Sequence, residues 1–383
     1  MLHPRKRSAG TIAVLLVVMA ALAISPLAAQ AKPGYIEEKV DMDALVKAAK
    51  AEGELVVYWT SSRITVAAKN FEAKYGIKVK GTKMADPEQA ERVIREVDSG
   101  KVQVDAIGFE DGPFLETKLL PDGYVMSWFP KDLASSIAKE DQYPLIYQWQ
   151  PRIFAYNAEA YPNGSPITNL WQLTEPTWKG KVIIRDPALT PANLAFFATI
   201  VSQPDVMAKA YKDLYGKALV VKEKNAGWEF LRRLFENGLM TMNADGDIGD
   251  AVGAAGQKDP PVGMITMTKM RDNIDKNLKL ATCQGLKPFM GYALPTYALL
   301  VKNAPHPNAA KLFLRYVCTP EGIAPWTVDN MGGYSSNAEA FVNPANEGSW
   351  QLWLPKLLRL DNKSAMRLRQ DILDFWLLYG KAN

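Results

Sequence analysis

The stretch Lys179–Ile200, KGKVIIRDPALTPANLAFFATI, constrains the fold of this chain more than any other. Val182, Ile183 and Ile184 form a short apolar, β-branched run, the pattern of a strand buried on both faces of a parallel sheet. Arg185, Asp186 and Pro187 break that run. Thr190 then reads as a helix N-cap, and Pro191 falls at the first helical position, where its missing N–H costs nothing. Leu194, Phe196, Phe197 and Ile200 make the packed side of the helix. A strand feeding a helix N-terminus leaves backbone N–H groups, here near Ala192 and Asn193. They point into the crevice where open α/β sheets bind ligands. An ordinary strand–helix crossover has the same pattern, so the reading depends on the rest of the chain.

The flanking sequence repeats the alternation. A helix is expected over 42–52, capped by Asp41 and stopped by Gly53, followed by a strand at Leu55–Trp59 and the polar turn Thr60-Ser61-Ser62-Arg63. An amphipathic helix runs to Tyr75, and a second strand covers 77–80. Asp86 caps a helix that Pro87 opens, and a third strand at 102–107 breaks at Gly108-Phe109-Glu110-Asp111-Gly112-Pro113. Further on, strands are expected at 153–156 and 262–267, and a strand pair or one bent strand at 291–302. Helices are expected over 227–237, 308–318 and 365–379, with another starting at Thr319. Trp326, Trp350, Trp353 and Trp376 read as packing residues. Short polar turns between strands and helices imply a mainly parallel sheet flanked by helices. The turns follow strand carboxyl ends and converge on one edge, so Ser61, Ser62 and Glu110 become candidate ligand contacts beside Arg185, Thr190 and Asn193.

The first 31 residues read as an export leader. Arg5, Lys6 and Arg7 precede an apolar core at 11–23, and Ala29-Gln30-Ala31 supplies a small–x–small cleavage pattern. Removing the leader lowers the formal charge from +4 to about +1, which gives no support for a nucleic-acid or anionic-membrane partner. The remaining length suits two domains. Cys283 and Cys318 allow either one disulfide or two buried thiols. His306 is the single histidine after the leader, too few for a His-rich zinc site, and no G-x-S-x-G motif accompanies it. An enzyme is therefore not expected, an exported hydrolase working with Asp and Glu alone being the alternative of that class.

With these elements in place, the chain resembles the periplasmic solute-binding proteins of ABC importers, in the group that binds ferric iron, phosphonates and polyamines. The residues that carry the resemblance are Leu55-Val56-Val57-Tyr58, Gly76-Ile77-Lys78-Val79, Val104-Asp105-Ala106, Tyr156-Asn157, and Trp178-Lys179-Gly180-Lys181 leading into Asp186-Pro187. The most specific stretch is Asn303-Ala304-Pro305-His306-Pro307-Asn308-Ala309-Ala310-Lys311-Leu312-Phe313, followed by Thr319-Pro320-Glu321-Gly322.

The resemblance implies an α/β, two-lobed type II fold, each lobe a mainly parallel sheet flanked by helices, joined by crossing hinge strands. It implies lobe 1 over 32–150 and 288–340, lobe 2 over 151–287, and C-terminal helices over 341–383 packing on a lobe, lobe 2 in preference. It also implies a periplasmic monomer without a cofactor that passes a small-molecule solute to an inner-membrane permease. Iron-binding members use a histidine after the first strand, a glutamate after the third and two adjacent tyrosines. Here Ser62 stands at the histidine position, Glu110 matches the glutamate, and Thr268 and Lys269 replace the tyrosines. Ferric iron needs anionic oxygen donors, whereas Lys269 with Arg185 and the helix end at Thr190 suits an anionic, phosphorylated or phosphonate-like solute. Ferric iron on non-standard ligands, with Tyr292 or Tyr334 as oxygen donors, is the alternative, and Tyr292 is counted among the expected ligand contacts.

Overall fold

The computed structural model describes Met1, residues 32–346 and residues 348–380. The leader at 1–31 and its cleavage after Ala31 thus lie outside the described residues, Met1 apart. Among the described residues no helix is long and apolar enough to cross a membrane.

The strands are β1 (Tyr35–Glu38), β2 (Glu54–Trp59), β3 (Lys78–Lys83), β4 (Ala106–Phe109), β5 (Val125–Pro130), β6 (Ile146–Asn157) and β7 (Val182–Arg185). They continue as β8 (Met240–Met242), β9 (Val262–Thr266), β10 (Leu280–Thr282), β11 (Gly291–Val301), β12 (Tyr334–Ser335) and β13 (Leu358–Arg359). The main path across the sheet is β3-β2-β4-β11-β6-β9-β7-β8. On one flank β2 runs parallel to β3 and β4. On the other, β7 runs parallel to β8 and β9. Between them β6 and β11 run antiparallel to each other and to β9 and β4, so two parallel half-sheets share a pair of long crossing strands.

Local chemistry accounts for most boundaries. Asp41 accepts a hydrogen bond from the Ala44 N–H at 3.1 Å and caps the helix Met42–Glu52, and Gly53 ends it at φ 79°. Thr319 accepts from the Gly322 N–H at 3.2 Å and opens Pro320–Thr327. Two cap expectations need correction. Thr190 does precede the helix Pro191–Val201, but its hydroxyl makes no capping bond. Ala85, not Asp86, is the N-cap of Asp86–Ser99, and the Asp86 carboxylate instead accepts the Glu110 N–H at 2.9 Å. Arg185 also lies inside β7 rather than ending it.

Strand β6 is much longer than the expected 153–156, and 291–302 is one strand with an irregularity between Thr296 and Tyr297. The core has two clusters. One gathers Trp59, Phe71, Phe313, Tyr316 and Trp326, with Trp59 and Phe313 edge-on at 5.7 Å. The other runs from Phe109 through Ile153 and Phe197 to Trp376. Cys283 and Cys318 are buried free thiols in different clusters, and burial pushes each up to about 12.

The last helix, Asn362–Tyr379, packs on Pro191–Val201 and Ala226–Glu236. It also reaches the segment after β4. Arg369 Nη2 lies 2.8 Å from the buried Asp111 carboxylate, and Asn362 Nδ2 donates to Glu116 Oε1 at 2.7 Å.

Candidate functional site

The carboxyl ends of β2, β4, β7 and β9 open onto one cavity of about 470 Å³, which β6 crosses. Strand geometry puts residues i, i+2 and i+4 on one face, and β6 therefore presents Gln148, Gln150 and Arg152 to the cavity. Opposite stand the turn after β2, the Glu110 turn after β4, the Thr190 end of the helix after β7 and the segment after β9. The wall carries six cationic side chains, Arg63, Lys83, Arg152, Arg185, Lys269 and Arg271, against three acids, Asp86, Glu110 and Asp245.

Arg152 is 3% exposed, and its Nη2 lies 2.5 Å from Asp245 Oδ2. Thr266, directly opposite Arg152 in the β6–β9 register, donates its hydroxyl to the same carboxylate oxygen at 3.2 Å. Burial disfavours the guanidinium charge most, but the Asp245 carboxylate, with Tyr292 and Glu110 behind it, together outweigh that effect and raise its pKa. Arg152 Nε and Nη1 nevertheless have no hydrogen-bond partner. The same holds for Arg185 Nε, Thr190 Oγ1, Trp326 Nε1, Gln148 Oε1 and Asp245 Oδ1, all buried atoms of residues that line the cavity. Buried polar atoms are nearly always paired, because an unmade bond forfeits the full desolvation cost. Seven such atoms belong to residues of one cavity wall.

At the other end, Glu110 Oε1 accepts the Thr60 hydroxyl at 2.9 Å and the Gln150 amide at 3.1 Å. Burial first, and then the nearby Glu110 charge, push the Asp86 carboxyl well above the usual range. Gly333 sits where a Cβ would meet Trp326 O at 2.2 Å and Gln148 Nε2 at 2.7 Å, so only glycine lets these groups approach.

Of the expected contacts, Ser61, Ser62, Glu110, Arg185, Thr190, Thr268 and Lys269 line the cavity. Asn193 and Tyr292 do not and are corrected here. Both are fully buried: Tyr292 OH donates to Asn193 Oδ1 at 2.9 Å, and Asn193 Nδ2 donates to Arg185 O at 2.7 Å. They support the end of β7 from behind. The Asn193 N–H is also taken, by Thr190 O at 2.9 Å, so it is not free at the helix end. Tyr334, held by its hydroxyl to Gly348 O at 2.9 Å, is likewise off the cavity wall. Trp326 combines the expected packing role with a place on the wall.

Among the wall residues missed by sequence reasoning are Gln148, Gln150, Arg152 and Asp245, with the charged Arg63, Lys83, Asp86 and Arg271. The period-two polar pattern of the first three was the available signal, hidden by Pro151 within the strand.

A two-lobed α/β fold with a polar cleft at the converging strand ends defines a solute-binding class of protein. The family model for bacterial extracellular solute-binding proteins matches residues 66–350, and the chain belongs to that family. Its fold is that of the type II periplasmic binding proteins. Iron-bound HitA from Pseudomonas aeruginosa is 18% identical, with a TM-score of 0.65 over 83% of this chain and 99% of its own. AfuA from Actinobacillus pleuropneumoniae, with fructose-6-phosphate bound, is 18% identical, with a TM-score of 0.64 over 86% and 99%. AgtB from Agrobacterium tumefaciens R10, in complex with agropinic acid, is 18% identical, with a TM-score of 0.59 over 86% and 98%. No curated protein sequence matches the chain significantly.

Proposed function

We propose that this protein captures a small anionic solute, phosphorylated or phosphonate-like, in the cavity and delivers it to a membrane permease of an ABC import system. The observation that carries this reading is the pair Arg152 and Arg185, two guanidinium side chains on the cavity wall that keep buried nitrogens without partners. A planar guanidinium with free donors matches an oxyanion, and a charge-assisted bond of this kind contributes about 1.5–3 kcal/mol. Lys269 and the hydroxyl of Thr190 add to the same wall. Residues 32–150 with 288–340 act as one lobe and 151–287 as the other, closing by bending of β6 and β11. The protein works as an exported monomer, directed by its leader, and makes no covalent change to the solute.

A thermal-shift and calorimetric panel tests the reading, since a ligand of the folded state raises the melting point by mass action. The panel holds phosphate esters, phosphonates, carboxylates, sugars, polyamines and ferric citrate. The expected result is a response confined to phosphoryl and phosphonate solutes that Arg152→Met and Arg185→Ala abolish. A response to ferric citrate alone, or affinity unchanged in both variants, refutes it.

A further inference from the structure

We propose that the start of the C-terminal helix Asn362–Tyr379 is a tether joining the two half-sheets away from their crossing strands. Arg369 and Asn362 are then positioning residues that fix the distance between the Glu110 and Thr190 walls of the cavity. The inference rests on the anion reading above only for one arm of its test. Its starting point is the motif Gly108-Phe109-Glu110-Asp111-Gly112-Pro113, of which the cavity wall takes Glu110 alone. The next two residues hold the helix.

Arg369 Nη2 donates to Asp111 Oδ2 at 2.8 Å, and the Asp111 side chain is 6% exposed. The other Asp111 oxygen accepts the Phe114 N–H at 3.2 Å, so the turn itself fixes the carboxylate that Arg369 meets. Asn362 fits against Gly112, where a Cβ would stand 2.7 Å from Asn362 Nδ2 and 2.8 Å from Tyr297 OH. Asn362 Nδ2 donates to Glu116 Oε1 at 2.7 Å and to Tyr297 OH at 3.3 Å. Tyr297 belongs to β11, whose preceding residue Thr296 accepts instead from the cavity residue Gln150 at 3.1 Å. Neighbouring strand residues point to opposite faces, so the junction lies on the face of β11 away from the cavity.

The same helix is rooted in the other half-sheet's helices. The Asp361 N–H donates to Thr199 Oγ1 at 3.3 Å, on the helix Pro191–Val201 whose first residues, Pro191 and Ala192, line the cavity. Trp376 is buried edge-on against Phe235 at 5.0 Å, and Phe375 meets Trp228 at 4.8 Å. Bonds to the supports of both cavity walls thus leave from two adjacent residues, Asp361 and Asn362. Strands β6 and β11 lie side by side, so they act as one hinge line about which the half-sheets can rotate. A contact away from that line restrains the rotation, and its loss lets the walls separate. The apparent dissociation constant is the intrinsic one divided by the fraction of molecules in the binding geometry, so a fraction cut to about a tenth weakens binding about tenfold.

Electron–electron double resonance on residues 32–383, spin-labelled at Glu88→Cys and Asp247→Cys, reads the separation of the half-sheets without any ligand. Both positions are exposed, on the helices Asp86–Ser99 and Asp245–Gly253 that flank the cavity, and the native thiols Cys283 and Cys318 are buried. The expected result is a longer and broader distance distribution in Arg369→Ala/Asn362→Ala. Gly112→Ala, which drives a methyl group at the Asn362 amide, should do the same from the other side of the contact, and Arg369→Lys should restore the parental distribution to the Arg369 position. Near-UV circular dichroism checks that each variant is folded; if the double variant is not, Arg369→Ala and Gly112→Ala decide singly. Titration with ethylphosphonate should show affinity about tenfold weaker in the variants with widened distributions, although no cavity residue is altered. Distances unchanged in the folded variants overturn the tether, and widened distances with unchanged affinity overturn the positioning role. Failure of the parent protein to bind ethylphosphonate overturns the anion reading instead, and the distances alone then decide the tether.

Discussion

Replacing Asp245 with asparagine should move stability and anion affinity in opposite directions. The Arg152–Asp245 pair is nearly sealed, with side chains 3% and 12% exposed and 2.5 Å between their charged atoms. Removing one partner of such a pair leaves the other charge buried and uncompensated, which costs about 3–5 kcal/mol. The exposure of Asp245 places the loss near the lower end, about 3 kcal/mol. For roughly 350 residues this lowers the melting point by about 4 °C. Asparagine keeps an oxygen for the Thr266 hydroxyl, which now donates at 3.2 Å, so the change isolates charge from hydrogen bonding. The freed guanidinium then acts fully on the solute. Affinity for a phosphonate should rise by about tenfold, or about 1.4 kcal/mol. Calorimetric melting of the apo protein and titration with ethylphosphonate read the two effects. The double variant Arg152→Met/Asp245→Asn should regain most of the stability and lose the anion. Unchanged melting with unchanged affinity would refute the reasoning, because the pair would then be solvated. A fall in anion affinity on Asp245→Asn would equally refute it, since Asp245 would be holding the solute rather than restraining Arg152.

Three further changes test other parts of the site and fold. Arg185→Ala removes a guanidinium with an unpartnered Nε, so anion affinity should fall at least tenfold with the melting point nearly unchanged. Tyr292→Phe deprives Asn193 Oδ1 of its 2.9 Å donor and should cost about 1–2 kcal/mol in denaturant unfolding, with a smaller loss of affinity. Asp141 is a buried acid pushed up to about 6 by desolvation, with Trp149 Nε1 donating to it at 3.0 Å. Because its folded pKa is raised, the folded state holds a proton that the unfolded chain gives up, so stability is lost as pH rises from 3.8 through about 6. Asp141→Asn keeps the Trp149 acceptor and should raise the melting point at pH 7.5 but not at pH 4, by calorimetry at both values.

What the sequence disclosed follows from how locally each feature is encoded. The helix Met42–Glu52 has its cap, its apolar side and its terminating glycine within a dozen positions, and its bounds are read correctly. The β7–helix unit at 182–201 is equally local. Strand β6 is not, since Tyr147, Trp149 and Pro151 alternate with Gln148, Gln150 and Arg152 and both faces are needed to recognise it. One face packs in the core and the other lines a cavity, so its polar residues resemble a loop until the sheet is assembled. The same logic sorts the site. Polar residues in turns after strand ends, such as Ser61, Glu110 and Lys269, were accessible to reasoning because topology alone brings strand ends together. Whether such a residue faces the cavity or supports it depends on a single rotation of the helix or strand that carries it. That is why Thr190 lines the wall while Asn193, three residues later, turns back to Arg185 O and Tyr292.

The acid at 245 illustrates the limit of reading by turns. Asp245 opens the helix Asp245–Gly253, and nothing within ten residues of it names a partner. Its significance comes from Arg152, 93 positions earlier, which only the β6–β9 pairing brings within reach. A buried cation on a crossing strand is costly unless the fold supplies a counter-charge. Asp245 supplies it with one oxygen and leaves the other, like Arg152 Nε and Nη1, unpaired at the cavity. The pair thus satisfies itself only in part, and under the proposed function the bonds it leaves unmade are open to a solute. If a solute does bind Arg152, the strand that carries it belongs to the segment shared by both half-sheets, so the proposed function predicts that binding is felt on both sides of the cavity.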